Sequence, residues 1–432
     1  MRREGTATRV IIAAGPSGVS SFGMSARHRL WSIGVPVMSW AITSVVVFVG
    51  AALGNYIIRP DKPFAFVDSL ACIDGRNYAR IAETGYSYRD KEPSNVAFFP
   101  AFPLAARLLS RLASTGTFSA QLIISNTCSL VAFMTMWAYM RHRVASLSGV
   151  LPHGDGELGS RDLAGYVLLA TGVLPTTFFF RVAYSESMFL CVAILTCYAI
   201  SRKWPVAVIS LIAGLATAVR PVGIALLVPL CWYVWKESTS NSQAMRRLAY
   251  VIPLGCWGLL AYMVFQYLKF HQPLAFALAQ TYHRMRPMGT TSDKWLALLS
   301  WEPIRDVYNP ASQGYWLALH YSPSRLFSLE FANPIYFIGT AALIALGAWK
   351  RWLTSYEILL AVPLLAIPYF TRAYEMRMLS QARFAAVVFP VYIVLGHLLA
   401  RLPLVVAGAL LALSGLMMGL YAALFAAGYP FL

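Results

Sequence analysis

The sequence predicts an all-α integral membrane protein whose chain crosses the bilayer about eleven times. Of its 432 residues, 58% are hydrophobic and only 12% are charged, whereas soluble domains carry roughly 25% charged residues. Several apolar stretches run for about 20 residues, which is the length that a helix needs to cross a hydrocarbon core of about 30 Å. These observations exclude a soluble enzyme, a disordered chain and a nucleic-acid-binding domain, although the net charge is +17. The apolar runs are continuous rather than alternating, which also excludes β-barrel strands.

The apolar windows and the basic residues between them predict a multi-pass topology. The predicted spans lie near residues 31–56, 117–140, 163–181, 184–201, 204–220, 222–235, 249–268, 333–349, 355–370, 384–400 and 403–427. Short turns with basic residues are typical of the cytoplasmic side, and four such turns contain Arg141, Arg202, Arg246 and Lys350. We therefore expect a cytoplasmic tail at residues 1–30, an uncleaved first anchor and a C-terminus outside. The sequence has no N-x-S/T sequon, which is compatible with a bacterial source. In a bacterium, the membrane that the chain crosses would be the plasma membrane.

Residues 1–432 are predicted to form a single membrane domain with two long outer loops. These loops comprise residues 57–116 and 269–332. Loops of this length are uncommon unless they have a function. Long loops also translocate largely regardless of their charge, so their basic residues do not overturn the topology.

The first outer loop contains the most informative pattern. Its spacing predicts a short helix that ends at Gly85, with Asp74, Tyr78 and Ile81 on one face and Asp68 pointing elsewhere. A second predicted helix follows the proline-rich turn at 100–103. It has an apolar stripe and a basic stripe, a pattern that favours a helix lying in the membrane interface. The apolar stripe comprises Phe98, Phe102, Leu109 and Leu112, and the basic stripe comprises Arg107 and Arg111.

Several motifs together resemble a known family. The first loop contains D-G-x-x-Y-x-x-I-A-x-x-G-Y over residues 74–86 and A-F-F-P-x-F-P over residues 97–103. Further along are Y-S-E-S-x-F from Tyr184 and R-P-x-G from Arg220. Later landmarks are Gln272-Pro273 with Phe276 and Gln280, then Gln381-Ala-Arg383-Phe384 before Phe389-Pro390. In this order they resemble the PIG-V-like mannosyltransferases, the family of the enzyme that adds the second mannose to glycosylphosphatidylinositol and of bacterial relatives. The family usually has Trp at the position of Ile73.

The resemblance implies a GT-C-type bundle of about eleven transmembrane helices with short interfacial helices in the first outer loop. Such an enzyme moves a sugar, mannose by the resemblance, from a polyprenyl-phosphate donor to a glycan or glycolipid acceptor on the non-cytoplasmic face. The expected partners are therefore these two substrates and membrane lipids. The reaction needs a carboxylate that accepts the proton of the acceptor hydroxyl, and donors that stabilise the departing phosphate.

The candidate catalytic residues are Asp74, as the base, and Asp68, as a second carboxylate. The candidate substrate-binding residues are Arg76, Tyr78, Arg80, Glu186, Arg220, Gln280 and Arg383. Arg76 and Arg80 are four residues apart on the predicted helix. They either form a row of cations that binds phosphate, here called a phosphate rail, or belong to a solvated stripe. Arg220 contacts a lipid phosphate or pairs with Glu186, while Arg383 contacts phosphate or extends to the interface.

No cofactor is expected, because the His, Cys and carboxylate residues lack the spacing of metal ligands. The alternative that Asp68 and Asp74 hold a divalent ion stays open. His283 with Arg284 and Arg286 is either a phosphate clamp or, more simply, a solvated charge run. Two other functions are compatible with the chain: a transporter or flippase of a lipid-linked sugar, and a ligase that uses a lipid-diphosphate donor.

Overall fold

The computed structural model describes residues 26–60, 65–148, 156–287, 289–320 and 328–429. All regular structure in these ranges is helical. The predicted tail at residues 1–30 therefore lies largely outside the described residues. The helices are α1 Ala26–Leu53, α2 Phe66–Ser69, α3 Asp74–Thr84, α4 Ala101–Leu112, α5 Thr117–Ser148, α6 Gly156–Val173, α7 Glu186–Ser201, α8 Val206–Val219, α9 Leu227–Lys236, α10 Asn241–Gly255, α11 Trp257–Phe270, α12 Ala275–Tyr282, α13 Thr291–Leu299, α14 Glu302–Tyr308, α15 Gln313–His320, α16 Leu329–Trp349, α17 Ser355–Pro368, α18 Gln381–Ala386, α19 Pro390–Leu399 and α20 Leu404–Ala426.

Five of these helical segments are long and apolar enough to cross a membrane. They are Ile33–Ile58, Thr117–Ser146, Glu330–Trp349, Ser355–Ala373 and Leu404–Ala426. The pair α10 and α11 qualifies as a sixth span if its 55° bend is part of one crossing. Five shorter apolar helices are Leu163–Val173, Glu186–Ser201, Val206–Val219, Pro221–Lys236 and Pro390–Leu399. Every predicted window overlaps one of these segments, so a helical membrane protein is confirmed, while the number of crossings stays a prediction.

The ends of the bundle contain irregular backbone that is buried in protein. Pro175 ends α6 because a proline has no N–H for the helix ladder, and residues Pro175–Phe180 continue as a buried 3₁₀ turn. A similar 3₁₀ turn, Pro221–Leu226, follows α8. Non-helical backbone at membrane depth is tolerated where protein surrounds it. These turns place polar side chains at the ends of short helices, where the candidate site lies.

The first and last long helices pack closely through small residues. A Cβ at Gly50 would lie 2.2 Å from the backbone oxygen of Gly419, and one at Gly54 would lie 2.1 Å from that of Ala423. Such small residues allow helix backbones to approach in a membrane. The contact fixes α1 against α20 and leaves the outer loop that follows α1 close to the bundle.

The first outer loop folds as the sequence predicts at α3 and differs at α4. Helix α3 ends at Gly85, whose φ of 87° suits glycine. Arg107 donates hydrogen bonds to the carbonyls of Ala82 (2.5 Å) and Ile81 (3.3 Å), and so caps α3. The predicted apolar stripe on α4 is not a single exposed face, because Phe102 is fully buried whereas Leu112 is 77% exposed.

The exposed apolar residues of α4 are Leu104, Leu108 and Leu112, which recur every four residues along one edge. The opposite side of α4 is buried because Phe102 packs on Tyr78, with 5.0 Å between ring centroids. The edge therefore has the amphipathic pattern of an interfacial helix. Its position in the membrane interface stays a prediction.

In the predicted second outer loop, the described residues up to residue 320 form four short helices, α12 to α15, and ion pairs hold this segment. Arg286 pairs with Glu302 (2.9 Å) and Asp306 (3.0 Å), and Arg377 also pairs with Asp306. These contacts connect the loop to the segment between α17 and α18. Arg286 therefore has protein partners, and the residues around it are not a solvated charge run.

We predict that residue 92 lies outside the cell and residue 242 inside it. Residue 242 is in a short connection with Arg246 and Arg247, and short basic connections are typical of the cytoplasmic side. Glu92 and Ser242 are both exposed. The chain with Glu92→Cys should react with a membrane-impermeant maleimide in intact cells, and the chain with Ser242→Cys only after permeabilisation, each compared with the parent chain. The opposite labelling pattern would contradict the topology.

Candidate functional site

The site is built around the first residue of α3. Ile73, in a left-handed conformation with φ of 52°, separates α2 from α3 and turns the chain so that Asp74 begins the new helix. Gly75 lies against the segment before α7, where an added Cβ would be 3.3 Å from the carbonyl oxygen of Ala183. The carbonyl of Gly75 accepts a hydrogen bond from Gln121 on α5 (3.1 Å). A small residue at position 75 therefore lets the start of α3 rest on the bundle.

Two carboxylates and two guanidinium groups form one chain of ion pairs at this point. Asp74 Oδ2 lies 2.5 Å from Arg383 Nη1, and Arg383 Nε lies 3.1 Å from Glu186 Oε1. Arg220 contacts the same oxygen of Glu186. The side chain of Glu186 is only 2% exposed, whereas that of Asp74 is 15% exposed. Asp74 is therefore the carboxylate of the pair that solvent or a ligand can reach.

The helix ends favour these charges. Glu186 is the first residue of α7, where the helix dipole stabilises an anion. Arg220 follows the last residue of α8, where the dipole stabilises a cation. The Arg383 guanidinium also lies over the ring of Tyr184 (5.3 Å), and both arginines lie over Phe384. Aromatic faces of this kind hold a guanidinium in place without neutralising it.

Tyr78 lies one turn after Asp74 and supports the site through its hydroxyl. This hydroxyl is 2.9 Å from Ser185 Oγ, and the ring packs on Phe98 and Phe102. Burial, followed by the nearby charges of Glu186 and Asp74, raises the pKa of Tyr78 above its ordinary value. The phenol is therefore neutral at physiological pH and serves as a hydrogen-bonding group.

A third arginine, Arg372, lies beside the ion pairs. It follows α17 and donates hydrogen bonds to the carbonyls of Gln280 (2.9 Å) and His283 (3.5 Å). In the part of the chain that the structure describes, no carboxylate lies within 4 Å of its guanidinium, although the charge of Glu375 and, less strongly, those of Arg383 and Asp74 act on it. When Glu375 and its partner Lys294 (2.5 Å) are included, the cluster has four cations and three carboxylates, which leaves an excess of one positive charge suited to an anion.

His283 connects the predicted second outer loop to Arg372 and so to the candidate site. Burial, more than the charge of Arg372, lowers the pKa of His283, so that its imidazole is neutral at neutral pH. Its backbone carbonyl accepts the hydrogen bond from Arg372. The loop therefore positions Arg372 by its main chain.

The structure brings five of the predicted site residues together and leaves the others apart. Asp74, Tyr78, Glu186, Arg220 and Arg383 belong to one cluster. The remaining four are exposed or contribute only a backbone group: Asp68, Arg76 and Arg80 are exposed, and Gln280 provides its carbonyl to Arg372. The exposure of Arg76 and Arg80 favours the solvated stripe over the phosphate rail.

Sequence reasoning missed Arg372, because a lone arginine after an apolar run is typical of a residue that extends to the interface. The signal that could have identified it is its place shortly after Pro368, within the irregular turn Tyr369–Ala373, where a helix stops before a polar segment. Among the described residues, no group of three His, Cys, Asp or Glu side chains is close enough to hold a metal ion.

No protein-family model matches the chain, and neither a curated protein nor a solved structure shows significant similarity to it. The motif resemblance therefore stays a prediction, and the geometry of the site has to support any function on its own.

Proposed function

We propose that the protein is a membrane glycosyltransferase that moves a sugar, mannose by the motif resemblance, from a polyprenyl-phosphate donor to a glycan or glycolipid acceptor. In the predicted topology the site faces the non-cytoplasmic side. The observation that carries the proposal is the partly exposed carboxylate of Asp74 in contact with Arg383, in a cluster that also contains Arg220 and Arg372. A base next to an excess of cations is what a transfer from a phosphate leaving group requires.

The proposed step is one displacement at the anomeric carbon. The acceptor oxygen bonds to this carbon and its proton passes to the Asp74 carboxylate. At the same time the bond from the anomeric carbon to the phosphate oxygen breaks, and that oxygen keeps the electron pair. A single displacement inverts the configuration, and its transition state has oxocarbenium character. Because the leaving group is a phosphate, it needs cations rather than a general acid.

The arginines would have different roles in this step. Arg383 contacts the carboxylate of Asp74 directly and holds it in place. A donor phosphate would compete with Asp74 for this guanidinium, and the carboxylate would then turn to the acceptor. Arg220 holds Glu186, and Glu186 in turn fixes the orientation of Arg383. Arg372 has no carboxylate within 4 Å among the described residues, so the binding of a ligand to it would break no ion pair.

One observation favours a transporter or flippase as the second candidate. The bent pair α10 and α11, with a 55° angle at its break, resembles the discontinuous helices that line transport sites. The ion pairs, however, lie at helix ends rather than in the middle of long spans, which supports an interfacial enzyme.

A radiolabel assay tests the proposal. Purified protein in nanodiscs would receive polyprenyl-phosphate mannose, polyprenyl-diphosphate mannose or no donor. A membrane extract would be the source of the acceptor. We expect label to move into extractable glycan or glycolipid from the monophosphate donor. Transfer from only the diphosphate donor would indicate a ligase, and movement of intact donor between leaflets without transfer would indicate a flippase.

We predict that Arg383→Ala and, by a smaller factor, Arg220→Ala weaken the use of donor more than the use of acceptor. A hydrogen bond to a charged group contributes about 1.5–3 kcal/mol, so the KM for donor should rise about 10–100-fold. Steady-state kinetics with each substrate varied would measure this, with Arg111→Ala on the exposed side of α4 as the matched control. Unchanged donor kinetics in a folded variant would mean that these arginines are only structural.

A further inference from the structure

Helix α13, in the predicted second outer loop, has an exposed apolar face. Trp295, Leu296 and Leu299 share one side of this helix, because Leu299 comes four residues after the first of them and three after the second. Leu296 is 70% exposed and Leu299 is 69% exposed, whereas Leu298, on another side, is buried. Large apolar side chains that are exposed together on one helix face mark an interaction surface.

Two polar contacts hold α13 against the rest of the chain. Lys294 Nζ lies 2.5 Å from Glu375 Oε1. The carbonyl of Leu298 accepts a hydrogen bond from the hydroxyl of Tyr369 (2.8 Å). Both partners belong to the segment that follows α17. These contacts therefore fix the orientation of α13 and leave Leu296 and Leu299 turned outward.

Aromatic contacts place α13 beside two segments that are long and apolar enough to cross a membrane. Trp295 packs on Phe370, with 6.0 Å between ring centroids. Trp301, which follows α13, lies 6.1 Å from Tyr369 and 6.5 Å from Phe337 by the same measure. Phe337 is in α16, and the other two rings are in the turn that continues α17. Because a short turn joins the other ends of α16 and α17, the rings lie at the same, predicted outer, end of both helices.

The same contacts set the depth of Trp301. Phe337 lies two helical turns, or about 11 Å, inside the segment that begins at Glu330, and Tyr369 lies one turn, or about 5 Å, before the other segment ends at Ala373. Trp301 contacts both rings and is 54% exposed. Because a hydrocarbon core is about 30 Å thick, Trp301 is level with the outer third of a bilayer that α16 and α17 cross. An exposed side chain at this level meets lipid, and tryptophan is enriched at this boundary.

We propose that α13 is a membrane anchor that lies in the interface of the outer leaflet, where Trp295, Leu296 and Leu299 bind phospholipids. The occupant of this face is lipid rather than a second protein, because the face adjoins the sides of α16 and α17, and the exposed sides of membrane-spanning helices meet hydrocarbon. The anchor would hold the second outer loop at the membrane surface, while the pair of Lys294 and Glu375 connects it to the segment before α18. This anchoring does not depend on the proposed transfer of a sugar.

Electron paramagnetic resonance tests the anchor with nitroxide labels on single cysteines of the full chain, in nanodiscs of phosphatidylcholine and phosphatidylglycerol. The six native cysteines are first replaced by alanine. Leu296→Cys and Leu299→Cys place the label on the apolar face, and the controls are two exposed positions, Glu92→Cys in the first outer loop and Leu413→Cys in α20. The ratio of collisions with oxygen to collisions with a water-soluble nickel chelate should be roughly ten-fold higher at 296 and 299 than at 92, and should approach the ratio at 413. Thermal unfolding of each variant checks that it is folded.

A second measurement keeps the native cysteines. Benzoylphenylalanine in place of Leu296 should attach to radiolabelled phosphatidylglycerol on irradiation, whereas the same group in place of Glu92 should attach far less label. A collision ratio at 296 and 299 equal to that at 92, or equal lipid labelling at 296 and 92, would place α13 in water and overturn the inference. Few collisions with either reagent, with a protein adduct instead of a lipid adduct, would mean that a second copy or another protein covers the face, and would overturn it as well.

Discussion

Asp74→Asn protein should transfer sugar about 10²–10⁴-fold more slowly than the parent chain, the usual cost of losing a general base. Asparagine keeps the shape of the side chain, and its amide oxygen can still accept a hydrogen bond from Arg383. It cannot take the proton of the acceptor hydroxyl. Because Asp74 is partly exposed at the start of α3 and not within the packed core, the fold should survive. The rate is measured as label transferred under saturating donor.

The matched control is Glu83→Gln, which makes the same chemical change on an exposed residue of α3. It should transfer at the parental rate. Asp68→Asn, at the exposed carboxylate in α2, should have a milder effect than Asp74→Asn. Near-parental transfer by Asp74→Asn, or a loss confined to Asp68→Asn, would contradict the assignment of the base.

Glu186→Gln should lower the free energy of unfolding by about 3–5 kcal/mol, the usual cost of removing one partner from a buried ion pair. The carboxylate of Glu186 is 2% exposed and is the only carboxylate within 4 Å of Arg220 among the described residues. After the substitution the Arg220 charge stays buried without compensation, whereas Arg383 keeps Asp74. Chemical denaturation in detergent, followed by tryptophan fluorescence, measures the change.

The surface pair of Lys203 and Glu237 provides the comparison. Its side chains are 72% and 40% exposed, so Glu237→Gln should change the free energy of unfolding by less than about 1 kcal/mol. A double variant, Glu186→Gln with Arg220→Met, should recover part of the loss because no unpaired cation remains at position 220. Equal, small effects of Glu186→Gln and Glu237→Gln would show that the buried pair is not a structural support.

Local features of the site could be predicted from the sequence. Helix α3 and its end at Gly85 follow from spacing and from the glycine signal, and the structure has both. The shared face of Asp74 and Tyr78 follows from a separation of four residues. The pairing of Glu186 with Arg220 was one of two predicted alternatives, because a charge near a span end is costly without a partner.

Contacts between distant segments could not be predicted in this way. Asp74 and Arg383 are 309 residues apart, and periodicity within one helix gives no information on which helices adjoin. The predicted apolar stripe of α4 was wrong at Phe102 for a related reason. The amphipathic pattern shows that α4 has two faces, but it does not show that Tyr78 packs against Phe102 and buries it. The left-handed Ile73 is set by the packing around it, since a β-branched residue disfavours that conformation.

The anomeric configuration of the transfer product tests the central claim most directly. Purified parent protein would receive polyprenyl-phosphate mannose labelled with ¹³C at the anomeric carbon, and the product would be examined by nuclear magnetic resonance. We predict one product with inverted configuration, with release of polyprenyl phosphate in equal amount. Retained configuration, or the absence of any product with ample donor and acceptor, would contradict a direct displacement in which Asp74 is the base.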